Sequence, residues 1–240
     1  MKASRAVFVI IGVVLFILLS NTANIREDSS IKINATGNGS FATMLLPAVD
    51  DKGNGLVTNL TVEVNRGEGR SLVDIRSLLF WVDTQNSIRI AGNVAAKYTD
   101  VKLDNYDIVY TIATNASVVE GPSAGAALTI ATIAALKNKK LRPDVMITGT
   151  INPDGSIGEI GDVFSKAQAA KAVNATTLLV PIGQSVEIKT GYEKTCKNYF
   201  VSKVCASTWQ TNSLNISELV GINVIEVGNI NDALSYLVVE

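Results

Sequence analysis

The 240-residue sequence contains no histidine. A Ser-His-Asp triad is therefore excluded, because the imidazole that would accept the serine proton is missing. Zinc sites of the metalloprotease type are excluded for the same reason, since they depend on histidine ligands. Any serine nucleophile in this chain must pass its proton to a lysine, a carboxylate or an N-terminal amine.

An excess of charge of either sign is also missing. The 21 lysines and arginines are balanced by 22 aspartates and glutamates, so the formal net charge is -1. This balance gives no reason to expect a nucleic-acid partner. A phosphate loop of the form G-x-x-x-x-G-K-[ST] does not occur in the sequence either. This chain therefore cannot hydrolyse ATP by that route.

Charge is absent from residues 6–20, "AVFVIIGVVLFILLS", which follow Lys2 and Arg5. Cations before an apolar run of this length are typical of a signal peptide or a signal anchor, here over residues 1–25. A clean small-x-small cleavage site is missing, so the sequence leaves open whether the segment is removed. A buried core helix is the remaining alternative.

The charges around this segment predict its orientation. Glu27 and Asp28 follow it, whereas the cations precede it, which favours a cytoplasmic N-terminus. We expect a linker over 26–35 and one large domain over 36–240, lying outside the cytoplasm and held at the membrane if the segment is retained.

Cysteine is scarce, with Cys196 and Cys205 as the only two. Nine positions apart, they could close a small disulfide loop in an oxidising compartment, or they could be free thiols in a core. The sequence leaves both open. Six N-x-[ST] sequons permit an extracytoplasmic location without proving it.

Strand-like and helix-like segments alternate along the rest of the chain. Apolar and polar residues alternate from Leu56 in "GLVTNLTVEVN", which predicts a strand. The segment from Pro122 to about Asn138 is small or apolar on all sides, which predicts a helix buried around its circumference. "INPDGS" predicts a hairpin, followed by a helix from Val163. We expect an α+β fold of mixed α/β layers, preceded by the N-terminal hydrophobic helix.

Ser123 lies where a loop is predicted to enter the buried helix. One interpretation is a helix N-cap, because serine satisfies free backbone N–H groups there. The other is a nucleophile, because the same N–H groups and the positive end of the helix dipole can stabilise an oxyanion. A suitably placed base would favour the second.

Lys166 is the candidate base. On a helical projection it lies between Ala170 and Val173 and one turn from Val163, on the apolar face, whereas Lys171 lies on another side. A lysine among apolar side chains has a lowered pKa and can accept a proton. The alternative is a lysine whose ammonium reaches water past the apolar face.

The region that holds both residues resembles the proteolytic domain of Lon proteases, a family of Ser-Lys dyad peptidases. The family's acidic-Gly-Pro-Ser-Ala-Gly motif is matched in order by Glu120, Gly121, Pro122, Ser123, Ala124 and Gly125. Its lysine, 43 residues after the serine, is matched by Lys166, and a Thr-Gly pair in between by Thr148 and Gly149.

The resemblance implies the Lon proteolytic fold and a serine endopeptidase without metal or organic cofactor. Ser123 and Lys166 would be catalytic, and Thr148, Glu120, Gly121 and Gly125 would support them, with Thr148 orienting Lys166. It also implies rings of like subunits, and protein or peptide substrates.

The sequence departs from the Lon pattern at several points. Thr150 stands where the family usually has an acidic residue, and Asp162 where it has a second glycine. The histidines usual near the serine strand are absent, and the segment between Pro181 and Gly221 is longer than usual and carries both cysteines. The ATP-driven unfolding module of Lon enzymes has no counterpart here.

These observations together predict a stand-alone Lon-type serine endopeptidase. We expect it to act without ATP on unfolded or flexible proteins outside the cytoplasm. Two alternatives remain open: a kinase-like domain that binds phosphate at the glycine-serine loop, and an inactive surface-binding module with the same fold.

Overall fold

The computed structural model describes residues 39–74, 82–113, 121–200 and 202–239. These residues belong to one compact unit, Asn38–Glu240. The predicted N-terminal hydrophobic helix lies outside the described residues. Within them, every helix is too short or too polar to cross a membrane.

The first sheet is built from alternating sequence. It comprises β1 (Ser40–Val49), β2 (Gly55–Arg66), β3 (Ser71–Asp74) and β4 (Tyr106–Ala113), in the order β1-β2-β4-β3. The β1–β2 and β2–β4 pairs are antiparallel, and β3 is parallel to β4. In β2 every second side chain from Thr58 to Val64 is buried, as the alternation predicts.

Two helices pack together and form the larger core with this sheet. Helix α1 is Val82–Thr99 and α2 is Gly125–Leu136. Every residue of α2 from Gly125 to Ala135 is buried, which confirms the prediction of a helix without a solvent face. Its two threonines are accommodated because Thr129 and Thr132 donate to carbonyls one turn earlier, at 2.8 and 2.7 Å. A 3₁₀ turn, Pro122–Ala124, precedes α2.

A second, smaller sheet lies beside the helix that carries Lys166. Its parallel strands are β5 (Val145–Ile147), β8 (Thr177–Pro181) and β11 (Asn223–Val227), in the order β11-β8-β5. The predicted hairpin is the short antiparallel pair β6 (Thr150–Ile151) and β7 (Ile157–Gly158). The other helical elements of the described residues are α3 (Val163–Ala172), α4 (Ile216–Val220), α5 (Ile230–Leu237) and a 3₁₀ turn, Leu103–Asn105.

A long two-stranded ribbon lies between β8 and α4 in the chain. Strands β9 (Val186–Tyr199) and β10 (Ser202–Asn215) pair antiparallel over 14 positions. Cys196 and Cys205 are directly opposite each other and joined by a disulfide. Both are exposed, so the alternative of two free thiols in a core does not apply. The extra segment noted in the sequence is therefore a cross-linked ribbon.

Candidate active site

Ser123 lies in the 3₁₀ turn before α2 and is half-buried. The N-cap residue of α2 is Ala124, without a capping side-chain bond, so the interpretation of Ser123 as that helix's cap is wrong. The chain makes one tight turn before the helix begins, which places the serine one residue too early to cap it. Within the described part of the chain, its hydroxyl has no hydrogen-bond partner.

The Ser123 turn is held by the residues that follow β5. The Gly149 N–H donates to the Ser123 carbonyl at 2.9 Å, and the Ala126 N–H donates to the Gly149 carbonyl at 3.0 Å. The buried Thr148 hydroxyl also donates to the Ser123 carbonyl, at 3.4 Å. These three bonds join the strand end to both sides of the turn, so the backbone at Ser123 is fixed from outside its own helix.

Close packing at this junction requires glycine. A Cβ on Gly125 would lie 2.8 Å from the backbone nitrogen of Ile151, and one on Gly149 would lie 2.4 Å from a methyl group of Ile157. Gly121 has φ +98° and ψ 160°, which side-chain-bearing residues rarely adopt. The predicted glycines of the motif therefore have steric and conformational roles.

Lys166 is buried on α3, with 3% of its surface exposed. Val163 and Ala170 of the same helix are buried, as predicted. Val173 is 43% exposed, because it is the C-cap residue at the end of the helix. The lysine Nζ donates to the Gly161 carbonyl at 2.9 Å. The alternative of an ammonium that reaches water past the apolar face is therefore wrong.

Burial lowers the pKa of Lys166 from its ordinary value of 10.5 to about 8, against a smaller opposing effect of the Asp162 carboxylate, which raises it. Asp162 precedes α3 in a left-handed backbone conformation, φ 56°, and its side chain makes no capping hydrogen bond. Glycine would adopt this left-handed conformation with less strain than aspartate does.

One cleft of about 440 Å³ is lined by both Ser123 and Lys166. Thr150, Glu159, Ile160 and Gly161 are also in its wall. No hydrogen bond joins the Ser123 hydroxyl to the Lys166 amine among the described residues. The fold therefore brings the two predicted residues to one cavity without a hydrogen bond between their side chains. Such bonds often form only when substrate binds.

Three of the four predicted supporting residues lie at the Ser123 turn. These are Gly121, Gly125 and Thr148, but the Thr148 hydroxyl bonds to Ser123 rather than to Lys166. Glu120 lies outside the described residues. No three histidine, cysteine, aspartate or glutamate side chains in the described ranges are grouped as metal ligands would be.

Sequence reasoning missed two groups near Lys166. One is the Gly161 carbonyl, a backbone atom that no residue type identifies. The other is the Gln184 side chain, which bonds to both backbone groups of Ile160. A glutamine 24 residues after Ile160 gives no signal of this contact in a single sequence.

Comparison with known proteins identifies the family of this sequence. Residues 58–204 match the sequence model of the Lon protease (S16) C-terminal proteolytic domain. The chain is 27% identical over 148 residues to the archaeal Lon protease of Methanocaldococcus jannaschii, covering 57% of this chain and 22% of that protein. It is 32% identical over 145 residues to the Lon protease of Buchnera aphidicola, a match that covers 58% of this chain and 18% of that protein. It thus spans about a fifth of these relatives.

Replacing Lys166 by Met should raise the free energy of unfolding near pH 7 by up to about 3 kcal/mol. The reason is that lowering the lysine pKa from 10.5 to about 8 corresponds to a free-energy cost of that size for burying the cation. Above pH 8 the folded chain has released a proton that the unfolded chain still holds. The stability of the wild type should therefore rise between pH 8 and 10.5, and the difference between the two proteins should fade.

Urea denaturation at pH 7, 9 and 11 measures this difference. Lys171→Met is the matched control, because Lys171 is an exposed lysine on the same helix. If Lys166→Met and Lys171→Met changed stability equally at all three pH values, the buried-cation account of Lys166 would be wrong.

Proposed function

Because the chain belongs to the family of the Lon protease (S16) C-terminal proteolytic domain, we propose that it is a serine endopeptidase that uses Ser123 as nucleophile and Lys166 as base. One observation carries this proposal. A buried lysine with a pKa of about 8 lines the same cleft as a serine whose hydroxyl has no hydrogen-bond partner among the described residues. Family membership by itself supports a serine peptidase, and this pair supplies the chemistry that a chain without histidine requires.

The reaction begins with proton transfer from the Ser123 hydroxyl to the neutral Lys166 amine as the serine oxygen attacks the peptide carbonyl. The carbon–nitrogen bond then breaks, and the Lys166 ammonium returns the proton to the leaving amine. Water then attacks the resulting ester while Lys166 accepts its proton, and the Lys166 ammonium returns that proton to the Ser123 oxygen as the ester bond breaks. The Gly161 carbonyl accepts one N–H of the amine throughout, which leaves the lone pair free to face the serine.

A backbone amide at the Ser123 turn would stabilise the oxyanion. The Gly125 N–H already donates to the Pro122 carbonyl and the Ala126 N–H to the Gly149 carbonyl, and proline has no N–H. The 3₁₀ turn over Pro122–Ala124 also directs the Ala124 N–H to the Gly121 carbonyl. We therefore assign this role to the amide of Ser123, in the segment that the Thr148–Gly149 bonds hold in place.

The lowered pKa matters for the rate. At pH 7 a lysine with a pKa of about 8 is neutral roughly 300-fold more often than one with a pKa of 10.5. The proposed base is then present in a useful fraction of molecules near neutral pH, and activity should increase as the pH rises through about 8.

Independence from ATP is part of the proposal, because the sequence has no phosphate loop. Without a motor in this chain, a substrate has to reach the cleft as an unfolded or flexible segment. The kinase-like alternative is less favoured, because two of the amides at the start of α2 that could hold a phosphate are already bonded within the protein.

We further propose that the domain acts outside the cytoplasm, at the membrane or secreted. The charge pattern of the first 28 residues and the exposed disulfide of the ribbon support this location.

The decisive activity test is hydrolysis of casein at pH 8 with and without ATP. The wild type should cleave it at the same rate in both conditions. Ser123→Ala should be inactive yet folded, since its hydroxyl has no partner to lose in the described structure. Lys166→Arg should be inactive because guanidinium does not deprotonate, whereas Lys171→Arg should match the wild type. Activity in Ser123→Ala would overturn the mechanism, and stimulation by ATP would overturn the ATP claim.

A serine-directed phosphonate separates an active enzyme from an inactive module. It should label Ser123 in the wild type and leave Ser123→Ala unlabelled, as read by mass spectrometry of the modified peptide.

Replacing Asp162 by Gly should move the acid limb of the pH–rate profile to lower pH, because the carboxylate raises the pKa of Lys166. The shift should be smaller than the lowering that burial causes, because the carboxylate has the smaller of the two effects on the pKa of Lys166. Asp162→Asn should shift the limb equally, because it also removes the charge. Only Asp162→Gly should also relieve the strain of the left-handed backbone conformation at this position. An unmoved limb in both variants would contradict this account of the base.

The location is tested in intact cells with an externally added protease. The domain after Ser30 should be digested, and Cys196 and Cys205 should resist alkylation until a reductant is added. Complete protection in intact cells, with digestion only after lysis, would place the domain inside.

A further inference from the structure

The Gly161 carbonyl that holds Lys166 has little packing of its own. Gly161 is exposed, and a Cβ built on it would meet no atom within 4 Å. Its neighbour Ile160 is half-buried against the smaller core. The position of the Gly161 carbonyl therefore depends on what holds the backbone at Ile160.

Gln184 holds that backbone at two points. The Ile160 N–H donates to the Gln184 Oε1 at 3.0 Å, and the Gln184 Nε2 donates to the Ile160 carbonyl at 2.7 Å. A side-chain amide thus pairs with both groups of one residue, as a neighbouring strand would. Two bonds fix both the position and the orientation of this backbone, which one bond would not.

The turn that carries Gln184 is itself fixed. The Gln184 N–H donates to the Pro181 carbonyl at 3.2 Å. The next residue, Ser185, donates to the Glu226 carboxylate through its backbone N–H at 3.0 Å and its hydroxyl at 2.6 Å. The glutamine side chain therefore extends from a supported turn and can transmit that support to Ile160.

We propose that Gln184 is a positioning residue for the reaction, which holds the Ile160–Gly161 backbone so that the Gly161 carbonyl keeps the Lys166 amine directed at Ser123. This role rests on the proposed peptidase function. Without the Gln184 side chain, the Glu159–Gly161 segment of the cleft wall can move away from Lys166. The amine then loses its fixed acceptor and gains contact with water.

A purely structural role for Gln184 predicts something different. If the glutamine only tied a loop, its loss would lower stability and leave the chemistry of the folded molecules unchanged. If it positions the base, its loss lowers kcat more than it raises KM. It also moves the acid limb of the pH–rate profile to higher pH, because a more hydrated lysine holds its proton more tightly.

The experiment measures kcat and KM of the full chain from pH 6 to 10 on a fluorogenic casein-derived peptide. Gln184→Ala should lower kcat at pH 8 by roughly 10- to 100-fold, the size of loss expected for a misplaced catalytic group, with KM changed less than about threefold. Gln184→Asn keeps the amide but is one methylene shorter, and it should be intermediate. Gln168→Ala, an exposed glutamine on the helix that carries Lys166, should match the wild type.

A second readout does not require hydrolysis. In the Ser123→Ala background, the pH dependence of Lys166 acylation by an amine-reactive reagent, read by mass spectrometry, reports how readily the amine deprotonates. Adding Gln184→Ala should move that midpoint to higher pH, and Gln168→Ala should not. Thermal unfolding of each variant confirms that folded protein is being compared.

The outcomes separate this inference from the proposed function. If the wild type does not cleave the peptide, the proposed function fails, while the acylation midpoint still shows whether Gln184 controls the surroundings of Lys166. If the wild type cleaves and Gln184→Ala keeps both kcat and the acid limb, the positioning role is wrong. The positioning role is also wrong if Gln184→Ala loses activity only in proportion to its loss of folded protein. In that case neither the acid limb of the pH–rate profile nor the midpoint of Lys166 acylation moves.

Discussion

The buried amine of Lys166 is the constraint on which the rest of the site depends. A lysine cation with 3% exposure is unfavourable unless it is hydrogen-bonded, and the one acceptor it has in the described structure is the Gly161 carbonyl. The same burial that destabilises the cation lowers its pKa to about 8. The lowered pKa is therefore obtained at a cost in stability, as the proposed role of Lys166 requires.

The two halves of the site come from two different cores. Ser123 precedes α2, which belongs to the larger core, whereas α3 and its lysine belong to the smaller one. Strand β5 separates them, since Ile147 packs into the larger core and Met146 into the smaller. Thr148 and Gly149 follow this strand and bond to the Ser123 turn. One strand therefore contacts both cores and continues into the residues that bond to the Ser123 turn.

The disulfide ribbon begins two residues after Gln184. Its base is closed where the Ile216 N–H donates to the Ser185 carbonyl at 3.0 Å, and the Glu226 carboxylate fixes the same serine. The ribbon itself is exposed, with Tyr192 and Trp209 in edge-to-face contact across it. The ribbon is thus attached next to the turn that carries Gln184.

The sequence by itself determined much of this protein. The absence of histidine restricted the base to few residue types, the period of the apolar residues predicted Lys166 on a buried face, and the small-residue helix after Ser123 indicated burial on every side. These are properties of composition and local repeat, which a single chain displays directly. The tertiary structure alone decided that Ser123 precedes the helix cap, that the two cysteines are bonded, that the Gly161 carbonyl accepts from the lysine, and that Gln184 bonds to Ile160. Each of these depends on a backbone atom or a partner distant in sequence, whose position is set by packing and not by residue type.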